Sequence, residues 1–463
     1  MNFDNNHQQC LDKLIWVTER LKVEAPFKQL SKIAKLIVQT MDSPWRYFHS
    51  TAHIFEVGGD GDAIEVLAAL FHDIVYVQVD KSINFNLTYY LAPFIEEERE
   101  KLFIREQNEL PEDAIFEMVA MIFGFVPGQA LSPFGGQNEF LSTLVAAKVL
   151  ESFLSPTLIV QVAACIEATI PFRSKTESGF SPSELLHQRL KLTNHQFNLQ
   201  LTDEDVIQAV KRSVRLANRD VGNFAEPSSA VFLTNTWSIL PEINHNLRKS
   251  GSYTVRDYRE AMQKMLGFLK CLQPELVFHQ FQGEPEDSTY YELVERTRKN
   301  IEVAQLYLES KLVAIAMIEA LSLRFGSDVS LSMMIGELPD SEFSVGRLKD
   351  SFPHLPSPYQ PTLAVEREVL DLLEIGRWKN SNYDIRNSPV TTFVVKYIGF
   401  NEIRRLRERS QAFFQGTISS EDYLASCNSE LARIITNGVI KLLENRQATL
   451  MSGNSYLLVP SNA

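Results

Sequence analysis

The chain is predicted to be all-α, and three observations predict it. Leu30, Ile33, Ala34, Ile37 and Val38 form one apolar stripe at helical spacing, and Leu431, Ile434, Ile435, Val439 and Leu442 form a second. Thr202 and Asp205 stand three apart as the two partners of a capping box, the reciprocal side-chain bonds that open a helix. Only residues 391–397 are rich in β-branched and aromatic side chains, and one isolated stretch does not make a sheet. In chain order, the first stripe predicts a helix around 30–38. Residues 62–77 are apolar nearly all round, so a buried helix is expected there. The capping box starts a helix on which Val206, Val210, Ser213, Ala217 and Asp220 share one face. The second stripe predicts the last helix. Connections are expected at 58–61, 127–136, 174–182 and, longest, 336–361, where Gly, Pro and Ser crowd together. That last stretch divides the chain into three parts. Residues 1–335 form a core with a helical extension, 336–362 a linker, and 363–463 a helical region to which the sequence assigns no role.

The 463 residues carry 45 Lys and Arg against 58 Asp and Glu, a formal net charge of −13. At roughly 150 residues per domain the length allows about three folding units with a sizeable core. The negative balance excludes a nucleic-acid coat protein and a polybasic membrane binder, since both need the opposite charge. An anionic substrate would then be met locally, most simply through a metal ion. Cys10, Cys165, Cys271 and Cys427 include no CxxC pair, which fits neither a disulfide framework nor a cysteine zinc site and implies a reducing compartment. The N-terminus lacks the basic and apolar regions of a signal peptide. The most apolar windows, 144–170 and 312–323, are interrupted by Lys148, Glu151, Glu167 and Glu319, short of the roughly 20 apolar residues of a membrane span. A soluble cytoplasmic protein is expected.

The histidines carry the chemistry. Three of the nine, His49, His53 and His72, lie between positions 49 and 72, and His72 is followed by Asp73. On a helix, His49 and His53 would lie on one face, roughly 40° apart. His72 and Asp73 sit in the apolar stretch 62–77. There an unpaired carboxylate costs several kcal/mol, whereas a divalent cation satisfies carboxylate and neutral imidazole together. Asp220, on the inward stripe of the helix that opens at Thr202, is the best candidate for a further ligand. Each feature alone has an ordinary explanation, a hydrogen-bonded core histidine or a solvated aspartate. Their combination is much less common by chance.

A histidine, then an adjacent His-Asp pair, then a distant aspartate, all on helices, resembles the HD-domain superfamily of metal-dependent phosphohydrolases. Residues 45–54 and 68–76 are similar to the small bacterial predicted HD hydrolases, and the His49–His53 spacing is similar, more distantly, to that of cyclic nucleotide phosphodiesterases. Residues 164–169 and 216–220 fit two later landmarks, so the resemblance spans about 27–225. It implies an HD helical core in which His53, His72, Asp73 and Asp220 bind a divalent metal (Mg, Mn, Fe, Ni or Zn). Asp73 and His49 would be catalytic. Asp73 would be placed to reach a second metal, and His49 would be the general acid that protonates the departing alkoxide; as a rival role, it would be a fifth ligand. Thr169 would be a hydroxyl supporting a ligand. The implied reaction is cleavage of a phosphate ester, in a small phosphorylated molecule or a nucleotide, by metal-activated water.

Tyr76 stands where phosphodiesterases place a histidine, and Asp80, Asn84 and Asn86 read better as turn formers than as ligands, so one metal is expected and a second is disfavoured. Arg46, Arg173 and Arg219 flank the motifs and could contact phosphate bidentately, or simply pair with carboxylates. The 58–61 stretch lacks the Lys and Ser/Thr of a phosphate-binding loop. Two rivals stand beside the hydrolase. One is a catalytically weak regulatory or ligand-binding module with one structural metal; the other, a di-iron oxygenase, needs more histidines than the His72 neighbourhood offers. The C-terminal stripe must bury its apolar face against the core or against a second copy of the chain.

Overall fold

The computed structural model describes residues 3–248, 251–326, 329–336 and 346–452. Among these the chain is all-α, with nineteen α-helices and a single two-stranded sheet. It divides into two compact units, Met1–Ala225 with Leu272–Thr297, and Glu226–Cys271 with Arg298–Ala463. No described helix is long and apolar enough to cross a membrane.

The first unit contains α1 (Phe3–Leu21), α2 (Phe27–Met41), α3 (Thr51–Gly58), α4 (Ala63–Phe71), α5 (Val77–Asp80), α6 (Phe85–Leu91), β1 (Ile95–Glu98), β2 (Lys101–Ile104), α7 (Ala114–Phe123), α8 (Gln137–Leu150), α9 (Pro156–Ala168), α10 (Pro182–Phe197) and α11 (Asp203–Asp220). The stripe on α2 is buried as its period requires. Asp62 caps α4 by accepting from the Ile64 and Glu65 amides, and every residue of α4 is buried. Helix α11 opens with the capping box of Thr202 and Asp205. Helix α9 packs on α4, α8 and α11, so α4 and α11 share a neighbour across one apolar core.

Strands β1 and β2 pair antiparallel, Ile95 opposite Ile104. Arg99 and Glu100 take positive φ (50° and 65°) between them, the left-handed pair that a two-residue hairpin turn needs. Four of the five residues 96–100 are acidic, which hides the strand. The segment with β composition, 391–397, is helical instead, with Thr391, Phe393, Val394 and Val395 buried, an instance of packing overriding propensity.

The second unit contains α12 (Ser229–Ile243), α13 (Val255–Cys271), most of α14 (Asp287–Ser322), α15 (Leu331–Ile335), α16 (Ala364–Glu374), α17 (Pro389–Phe414), α18 (Ser420–Ser426) and α19 (Ser429–Ser452). Helix α14 gives its first turns to the first unit and the rest to the second. Helix α17 is broken at Gly399 (φ +75°), where a Cβ would lie 2.7 Å from the Tyr359 ring. Leu431, Ile435, Val439 and Leu442 of α19 are buried.

This division differs from the one expected at 336–362, of which residues 337–345 lie outside the described residues. Residues 226–271 and 298–335 group with the C-terminal helices because their buried polar side chains are bonded there. Tyr258 and Trp237 both donate to Asp384, and the Tyr423 hydroxyl donates to the Val313 carbonyl.

Candidate metal centre

Four side chains from separate parts of the sequence meet in the first unit. His53 lies on α3, His72 is the C-cap of α4, Asp73 follows it, and Asp220 ends α11. His53 Nε2 lies 3.0 Å from Asp220 Oδ1 and 3.5 Å from Asp73 Oδ2. His72 Nε2 is 3.1 Å from Asp73 Oδ2 and 3.3 Å from Asp220 Oδ1. Ligand atoms of His53, His72 and Asp73 all lie within 4.8 Å of one another. The four candidate metal ligands are thus brought together.

The tautomer of His72 is fixed from outside. Its Nδ1 lies 2.8 Å from the Ala69 carbonyl oxygen, which can only accept, so Nδ1 carries the proton and donates it. The Nε2 lone pair then faces two carboxylates, an arrangement that repels unless a proton or a cation lies between them. Burial alone would lower the His72 pKa, but Asp73 and Asp220 outweigh it and hold it well above the ordinary imidazole value. Burial opposes ionisation of the two acids; the charge of His72 nevertheless carries Asp220 down to about 2 and Asp73 far below the carboxylate range. Asp73 Oδ2 is buried without a hydrogen bond of acceptable geometry. Two imidazoles and two carboxylates, with the His72 ring oriented by the Ala69 carbonyl, fit a divalent cation of the Mn, Fe, Ni or Zn type, and the carboxylates suit Mg.

His49 reaches the centre by a different route from the one its spacing predicts. Helix α3 begins only at Thr51, so His49 lies in the irregular segment before it and shares no helical face with His53. Its ring is nevertheless 5.9 Å from that of His53, and it meets Tyr76 edge-on at 4.4 Å.

The remaining candidates have structural partners. Arg46 is buried and forks onto Asp80 at 2.6 Å while donating to the carbonyls of Asp73 and Ile74, so it pins the His-Asp turn rather than offering its guanidinium to phosphate. Asp80 is thereby engaged, and Asn84 caps α6, which leaves neither side chain free as a ligand. Arg219 bonds Glu65 at 2.6 Å and the Val57 carbonyl, again a carboxylate pairing. Arg173 bonds Glu167 at 2.6 Å, and Arg189 bonds the same oxygen at the same distance. Thr169 caps α9, and its hydroxyl donates to the Ile166 carbonyl.

Two acids near the centre were given no role by the sequence. Glu167 is fully buried between its two arginines; an acid inside the apolar stretch 159–170 was the available signal. Glu139, in the first turn of α8, feels both Asp73 and Asp220, and burial pushes its carboxyl up to about 7. Its Oε2 is buried without a hydrogen-bond partner. A single acid in a first turn reads as complement to the helix dipole, so nothing in the sequence marks it.

No protein-family model matches this chain, and neither a curated protein nor a solved structure does.

Proposed function

We propose that this chain is a metal-dependent phosphohydrolase of the HD type, acting on a phosphate ester of a small molecule or nucleotide. One observation carries the reading: the protein fixes the His72 tautomer so that its free lone pair, with His53, Asp73 and Asp220, converges on a point where only a proton or a cation relieves the repulsion. A divalent cation bound there supplies Lewis acidity towards a phosphoryl oxygen and lowers the pKa of a water towards about 7. His53, His72, Asp73 and Asp220 would hold it. His49, against Tyr76 and beside His53, would give a proton to the leaving oxygen. Glu139, an acid whose proton is easily exchanged near neutrality, would accept one from the attacking water. Because Asp80 belongs to Arg46, one metal is favoured.

A binding module with a single structural metal remains the second reading, favoured by the packing of Tyr76 on His49 in place of a further ligand. Metal titration followed by turnover assays on phosphomonoesters, nucleotides and cyclic nucleotides separates the two. Metal with turnover supports the hydrolase, and metal without turnover on any of them supports the module. Failure to bind any divalent cation sinks both.

A further inference from the structure

A cavity of about 540 Å³ lies wholly within the first unit, between the segment that leads into α10 and the returning segment 275–290. It falls in the roughly 300–1,000 Å³ range of sites that enclose a small molecule. None of His53, His72, Asp73 and Asp220 lines it. His279 does, and it is only 8% exposed. Its amide and its carbonyl are both bonded to the Asn218 side chain, yet its imidazole makes no hydrogen bond or ion pair among the described residues. A buried polar ring in that state is costly until something in the cavity pairs with it.

The rest of the wall narrows the choice of partner. It carries Arg173 and Lys175 against Glu184 and Glu275, so its formal charges cancel. Arg173 is committed elsewhere, since all three of its nitrogens donate to Glu167 or to the Ile170 carbonyl. The start of α10 is closed by the capping box of Ser181 and Glu184 and offers no anion site. A cation has no site here either: among the described residues, only His53, His72 and Asp73 bring such ligand atoms close enough together. Burial and the Arg173 charge push the His279 pKa down to about 4, and burial with Lys191 lowers that of His187, so both rings are neutral near pH 7. A neutral imidazole has one N–H to donate and one nitrogen to accept. Phe180, 40% exposed, and Phe281, whose ring lies 5.4 Å from that of His187, add flat aromatic surface.

We propose that this cavity binds an uncharged nucleoside, its base stacked on Phe180 and hydrogen-bonded to the His279 imidazole. Every base has a π face to stack and an edge that carries both donors and acceptors. A purely hydrocarbon ligand would leave His279 unpaired, and a phosphorylated one would bring charge that the wall does not balance. The volume leaves room for the ribose beside Gln188. The proposal does not rest on the metal centre.

Calorimetric titration of the chelator-treated full chain with adenosine, guanosine, cytidine and uridine, each beside its 5′-monophosphate, tests this. At least one nucleoside should bind saturably, and its monophosphate should bind more weakly. Phe180→Ala should weaken binding on the order of fivefold or more through lost stacking. His279→Leu, which keeps the bulk of the ring, should weaken it roughly three- to tenfold, the loss of one hydrogen bond. Phe180 is partly exposed, so its variant decides alone if His279→Leu does not fold. The proposal is overturned if no nucleoside binds, if the monophosphate binds as tightly as the nucleoside, or if either folded variant binds as the unmodified chain does. Because the protein is titrated free of metal, such a failure leaves the metal-centre reading untouched.

Discussion

At His72 the side of the ring that faces away from the centre decides what the other side can do. With Nδ1–H held by the Ala69 carbonyl, Nε2 must bind either a proton or a cation, and the two compete. In chelator-treated protein the proton wins, since the neighbouring carboxylates keep the His72 pKa well above 6.5. A raised imidazole gives stability that is complete below 6.5 and fades as pH climbs through the folded-state value. Asp220, lowered to about 2, gives stability that is complete above 3.8 and fades as pH falls towards 2. Both contributions are therefore full between 3.8 and 6.5, and stability of chelated protein should decline above that window. Metal uptake at pH 7 should release protons, which calorimetry in two buffers of different ionisation enthalpy measures; uptake without release would contradict the tautomer argument. Asp73→Ala should abolish metal binding and turnover together. His49→Ala should keep the metal and lose about 10²–10⁴ in turnover, and metal loss there would move His49 into the ligand set. The convergence of His53, His72, Asp73 and Asp220 was legible because chemistry confines adjacent His and Asp in an apolar stretch to few roles. Glu139 was not, because only the folded chain brings it near Asp73 and Asp220.

Among the elements, the turn after α4 is held by a residue 27 positions earlier. Arg46 bonds the carbonyls of Asp73 and Ile74 and the carboxylate of Asp80, with its own side chain fully buried. Arg46→Met removes the cation and leaves Asp80, whose side chain is 11% exposed, without its partner. Breaking a buried pair in this way costs about 3–5 kcal/mol. Denaturant unfolding should show that loss, and adding Asp80→Asn should recover part of it; a change under ~1 kcal/mol would mean that the turn is held by its own packing. At the other end of α4, Asp62 caps two amides and pairs with Arg212, so Asp62→Ala should cost at least about 1 kcal/mol. Four of the nineteen described helices, α2, α4, α11 and α19, could be read from apolar period and capping residues. The β1–β2 hairpin could not, because its turn uses Arg99 and Glu100 in left-handed conformation in place of the usual Gly or Asn. Residues 391–397 misled for the opposite reason: β-branched side chains pack as well on the buried face of α17 as in a sheet.

At the scale of the whole chain, a break in composition and a break in packing fall at different places. Gly and Pro collect at 336–362, yet the side chains before that stretch are tied to those after it within the second unit. Lys311 depends on Ser388, Trp237 on Asp384, Glu309 on Arg407, and the Val313 carbonyl on the Tyr423 hydroxyl. A fragment ending near residue 335 would keep Lys311 and Glu309 while deleting Ser388, Asp384 and Arg407, and would strip the cover from the apolar face of α14. We expect it to aggregate. The first unit has a better boundary. Ala225 and Leu272 lie in one small cluster with Val277 and Phe278, so a short Gly/Ser link could join them in place of 226–271. Every proposed ligand lies before 221, and Asn218 is tied to the His279 backbone by two hydrogen bonds, which anchors α11 to the returning segment. A chain of 3–225 linked to 272–297 should therefore be soluble and bind one divalent cation per molecule with the affinity of the full chain. A soluble, metal-binding fragment ending at 335, with an insoluble linked unit, would place the boundary at the Gly/Pro-rich stretch after all.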